Sequence, residues 1–194
     1  RVLFNLAVFS GLRKGEMLAL QWSDINFENS TVSVTKAATV VDGKQVCKAP
    51  KTKNSRREVS IPRFLTDRLH NLMVEQTKTK ESLGAYWKGN NWLFTQSDGS
   101  MMSYSTPYAT FQDAIDRYNA DKEPADQLPH IPFHGLRHTS ATLLIAAHQD
   151  VRTVSNRLGH AQASTTMNIY AHALKENDRT ASNALENMLC KTGA

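Results

Sequence analysis

Cysteine is scarce in this chain: two residues among 194, Cys47 and Cys190, with no CxxC pair. That scarcity argues against a disulfide framework or a cysteine-based zinc site and fits a reducing compartment. No apolar run approaches the roughly 20 residues that cross a bilayer, and no signal peptide stands at the start. Internal repeats and low-complexity tracts are absent too. Acidic residues are the minority charge: 18 Asp and Glu face 23 Lys and Arg, for a formal net charge of +5. This balance favours a polyanionic partner without requiring one. The remainder, 40% hydrophobic and 21% charged, is ordinary for a globular domain with one core and extensions.

The apolar spacing changes period along the chain. Val2, Leu3, Leu6 and Phe9 mark a helix that Gly11 ends, and a second short helix carries Glu16 to Gln21. Thr31 to Thr35 alternates as a strand, Asp42-Gly43 signals a turn, Gln45 to Lys48 returns, and Glu58 to Ile61 is a third strand stopped by Pro62. Helical spacing follows at Phe64, Leu65, Leu69, Leu72 and Met73, and residues 80–103 read as a loop. Further helices fit Tyr104–Ala120, Gly135–Ala147 and Asp150–Leu158, with Asp150 as N-cap and Gly159 as C-terminal cap. Ala181, Leu185, Met188 and Leu189 form a last amphipathic stretch. The expected class is α+β, mainly helical, with a small three-stranded antiparallel sheet near the N-terminal third. Residues 1–194 read as one domain. Arg1 in place of Met suggests a piece excised from a longer protein.

Four short segments carry residues suited to one oxyanion: Gly11-Leu12-Arg13-Lys14-Gly15-Glu16, His134-Gly135-Leu136-Arg137-His138, Leu158-Gly159-His160, and Tyr170 ten residues later. Arginine gives paired hydrogen bonds from a planar fork and stays charged, which suits charge building on phosphate oxygens. His134 and Arg137 are three apart, so both reach one face at a helix start, where backbone donors also favour anions. His134 and His160 are able to bond phosphate oxygens or move protons near neutral pH. His134 and His138 also form an H-x-x-x-H pair. With no Glu between them and no obvious third ligand, it is read as no metal site. A tyrosine phenol, with a pKa near 10, needs cations nearby to become a nucleophile. Glu16 and His138 are assigned to orienting or packing roles. The segment Lys48-Ala49-Pro50-Lys51-Thr52-Lys53-Asn54-Ser55-Arg56-Arg57 reads as a solvated basic loop.

The order Arg, His-x-x-Arg, Gly-His, Tyr resembles the tyrosine recombinase (phage integrase) family, over nearly the whole chain. The resemblance implies Tyr170 as nucleophile, forming a 3′-phosphotyrosyl link without metal or cofactor. Arg13, Arg137, His134 and His160 would surround the phosphate. A loop lysine, Lys53 or alternatively Lys51, would be the general acid for the 5′ oxygen. Lys48, Lys51, Arg56 and Arg57 are the expected DNA contacts. It also implies double-stranded DNA as partner, a monomer without DNA and a homo-tetramer on it. An accessory directionality factor, a bacterial cytoplasmic location and absent N-terminal DNA-binding domains follow from it as well. The loop's style looks like integrases of phages and conjugative transposons. The final helix, about 176–190, would pack in cis or on a neighbouring protomer. Two rivals remain: a type IB topoisomerase-like enzyme, and a non-catalytic helix-turn-helix module built on residues 140–170. The second leaves Arg13 and the placement of Tyr170 unexplained.

Overall fold

A computed structural model describes residues 1–49, 56–160 and 166–167. The chain starts with helix α1 (Val2–Ser10) and a one-turn helix α2 (Lys14–Leu18). Gly11 at φ 64° closes α1, its N–H bonded to the Ala7 carbonyl. Leu3, Leu6, Ala7 and Ser10 face inward, whereas Phe9 stays 41% exposed and meets the Phe64 ring edge-on.

Strands β1 (Ile25–Asn26), β2 (Thr31–Val34) and β5 (Arg57–Ser60) make a three-stranded antiparallel sheet in the order β1-β2-β5. Val32 faces Val59 in its register, and both are buried. Strands β3 (Ala37–Val41) and β4 (Lys44–Lys48) pair with each other as a separate hairpin around Asp42-Gly43. The expected three-stranded sheet is therefore present, but its third member is β1, too short for an alternation signal. The hairpin leaves the sheet because Ala38 is buried on Leu18 and Ala19. Gly15 of α2 makes that approach possible, since a Cβ there would collide with the Ala38 carbonyl.

Helix α3 (Arg63–Leu83) runs past the expected loop start at residue 80, and Gly84 ends it. Nothing in Glu81-Ser82-Leu83 breaks a helix. Helices α4 (Thr106–Asn119), α5 (Gly135–Ala146) and α6 (Val151–Leu158) follow as anticipated. Among the described residues, no helix is long and apolar enough to cross a membrane.

The main core gathers Leu6, Leu12, Met17, Val32, Val59, Leu65, Leu69 and Leu93. Phe4, Phe111 and Phe133 interlock with centroids 5.5–6.2 Å apart and tie the start of α5 to α1 and α4. A satellite cluster of Ala141, Val154 and Leu158 joins α5 to α6. These contacts bring the end of α1, the start of α5 and the end of α6 to one place.

Candidate active site

The α6 C-terminus organises the site. Asp150 starts this helix by accepting from the Thr153 N–H at 2.9 Å, and Gly159 at φ 66° turns the chain out of it. A helix end leaves its last carbonyls without intrahelical partners. Here three successive carbonyls are each taken by a different arginine. Arg57 Nε donates to the Arg157 carbonyl at 2.7 Å, Arg137 Nη2 to Leu158 at 2.6 Å, and Arg13 Nη2 to Gly159 at 2.9 Å. Guanidinium groups also suit the negative end of the helix dipole. Gly159 has a second constraint: a Cβ there would lie 2.7 Å from Arg57 Nη1.

Each arginine is held from a second direction. Arg137, 3% exposed, gives Nη1 to the Gly11 carbonyl at 2.6 Å. Arg13 is the N-cap of α2, and Glu16, at the third helical position, reaches back to its N–H at 2.8 Å. Glu16 also accepts from Arg13 Nη1 at 2.9 Å and from Arg57 at 3.1 and 2.9 Å. One buried carboxylate thus serves two arginines while a third stands close by.

Among the described residues the arginines outnumber the one carboxylate, and the titration directions express it. Burial alone would raise the Glu16 pKa, but hydrogen bonds and charge from Arg57 and Arg13 outweigh it, and the net shift is down. Burial, then the charges of Arg13 and Arg57, pull Arg137 down to about 9, with Glu16 opposing; it stays protonated at neutral pH. His160 is half-buried, its Nδ1 2.8 Å from Thr166 Oγ1. Burial and the charges of Arg137, Arg13, Arg57 and His138 push it down to about 4. His134, the N-cap of α5, is lowered by burial, His138, Arg137 and Arg13. Its ring meets that of His138 edge-on at 5.0 Å. An anion in this cradle would relieve the mutual repulsion of the guanidinium groups.

Arg13, His134, Arg137 and His160, which the sequence carries in three separate segments, lie in one electrostatic neighbourhood, with Glu16 bonded to Arg13 and His138 against His134. Arg57 departs from the solvated-loop expectation. It is the first residue of β5, its side chain 7% exposed and turned onto Glu16. Strand alternation carried the clue, because Arg57 shares a face with buried Val59. Arg157 was missed altogether; its Nη2 donates to the Phe9 and Ser60 carbonyls at 2.7 and 2.8 Å, fastening α6 to α1 and β5. Lys48 and Arg56 are exposed. Lys51, Lys53, Tyr170 and the stretch 176–190 lie outside the described residues.

A mainly helical α+β frame thus surrounds a cradle of arginine and histidine side chains. The chain belongs to the phage integrase family, whose model matches residues 1–177. It is 32% identical to a XerC-like tyrosine recombinase of Caldanaerobacter subterraneus subsp. tengcongensis over 97% of this chain and 49% of that protein. The ICEBs1 integrase of Bacillus subtilis is also 32% identical, over 97% of this chain and 49% of its own length. The chain therefore spans about half the length of these relatives. In fold it is similar to the Tn1549 transposon integrase, solved in complex with transposon right end DNA. The TM-score is 0.80 at 22% identity, covering 97% of this chain and 58% of that one.

Proposed function

We propose that this chain is the catalytic domain of a site-specific recombinase that breaks and rejoins double-stranded DNA through a 3′-phosphotyrosyl intermediate on Tyr170. The observation that carries the reading is the meeting of Arg13 and Arg137 on the last carbonyls of α6, with His160 just beyond that helix and His134 lowered by both guanidinium charges. Family membership adds the reaction type.

In this scheme the Tyr170 oxygen attacks phosphorus, an O–P bond forms, and the bond to the 5′ oxygen breaks. Arg13 and Arg137 bind the non-bridging oxygens, whose charge rises in the transition state. Lys53, or Lys51, gives the leaving oxygen its proton. Neutral His160 is in the right state to accept a hydrogen bond or proton, and phosphate binding raises its basicity by offsetting the arginines. Attack by a partner strand's 5′ hydroxyl reverses the link and exchanges strands. Lys48 and Arg56, both exposed, belong to the basic segment that follows the DNA backbone, whereas Arg57, expected there too, is turned inward to hold Glu16.

The working unit is four protomers on DNA, formed from monomers in a bacterial cytoplasm, with an accessory factor setting direction. The test is plasmid incubated with the chain in EDTA and quenched with SDS, alongside Tyr170→Phe. A covalent adduct lost in the mutant is expected; an adduct that survives Tyr170→Phe overturns the nucleophile assignment. Holliday junctions separate exchange from simple relaxation.

A further inference from the structure

A groove leads away from the cradle. A hollow of 410 Å³ contains Arg13, Lys14 and His134 in its wall, and an adjoining hollow of 450 Å³ contains Val40, Gly43 and Gln45. Both share Lys14, Tyr104 and Tyr108, so they lie side by side between the cradle and the turn of the β3–β4 hairpin. Among the described residues that line it, none is acidic.

Its walls are held in place. Gln45 of β4 donates through Nε2 to the Met102 carbonyl at 3.0 Å and accepts from the Tyr104 N–H at 2.8 Å, which locks the hairpin to the segment before α4. The Tyr104 ring in turn holds the Lys14 ammonium 3.8 Å from its centroid. Lys14 directly follows Arg13 at the start of α2. Arg13 turns to Glu16 and the α6 end, and Lys14 turns to Tyr104. Burial lowers the Lys14 pKa, as expected for an ammonium drawn from water into a walled site.

We infer that this groove seats the DNA strand on one side of the reacting phosphate, with Lys14, aimed by Tyr104, on the neighbouring phosphate. Successive phosphates of one strand rise about 3.4 Å along the duplex axis and are further apart than that through space. Two long side chains that start from adjacent residues and diverge, as Arg13 and Lys14 do, suit such a separation. The inference rests on the reading of the cradle as a DNA phosphate site.

Salt dependence of binding to a random-sequence duplex, followed by fluorescence anisotropy, tests it. Each phosphate contact contributes a slope of about −0.9 in log K against log salt. Lys14→Ala is expected to make the slope shallower by about 0.9, and Lys14→Arg to restore it. Lys78→Ala, on α3 and paired with Glu75, is expected to leave it unchanged. A wild-type slope that persists in Lys14→Ala overturns the groove assignment and leaves the DNA reading standing. A wild-type chain with no salt-dependent affinity overturns the DNA reading itself.

Discussion

Among the described residues, replacing Arg57 with methionine removes two hydrogen bonds to the Glu16 carboxylate and one to the Arg157 carbonyl. Both partners of the ion pair are buried, with side chains 7% and 5% exposed. Losing one member of a buried pair typically costs about 3–5 kcal/mol, because the other charge stays desolvated. Glu16 keeps two bonds to Arg13, which places the expected loss at the lower end, about 3 kcal/mol. Against a domain stability of about 5–15 kcal/mol, that is a large fraction. Glu16→Gln should be comparably costly, since it leaves Arg57 and Arg13 facing each other without a full counter-charge. The double variant should lose less than the sum, with a coupling of about 1–3 kcal/mol. Urea unfolding of the four proteins at one pH completes the cycle. Single losses below about 1 kcal/mol, or additive losses, would refute the claim that Glu16 and Arg57 form one buried unit beneath the cradle.

Two other perturbations probe the same geometry. Gly15→Ala sets a methyl against the Ala38 carbonyl; a loss of about 1–3 kcal/mol is expected from overpacking, and an unchanged urea midpoint would mean that the hairpin yields freely. His160, held at about 4 against about 6.5 in an unfolded chain, takes up its proton more readily when unfolded. Its contribution therefore lowers stability as pH falls from about 6.5 towards 4. His160→Gln should flatten that part of the profile, and inorganic phosphate should raise the imidazole pKa followed by NMR. A His160 pKa indifferent to phosphate would count against an anion in the cradle.

Local signals in the sequence determined most of the elements and the chemical types at the site. Period 3.6 at Phe64–Met73, the Asp150 and Gly159 caps, and the Asp-Gly turn act over a few residues, so their physics is complete within a short window. The same holds for Arg13 beside Gly11, and for His134 three residues before Arg137. Tertiary packing alone decided the rest. Only the folded chain shows that the hairpin leaves the sheet for α2, because that depends on the space above Gly15. Likewise, Arg57 is a brace on Glu16 rather than a solvated loop residue, since its partners lie 41 and 100 positions away. The convergence of Arg57, Arg137 and Arg13 on the carbonyls of Arg157, Leu158 and Gly159 is decided at the same level. Unpaired carbonyls at a helix end create the demand locally, but which guanidinium groups arrive to meet it depends on how α1, β5, α5 and α6 pack.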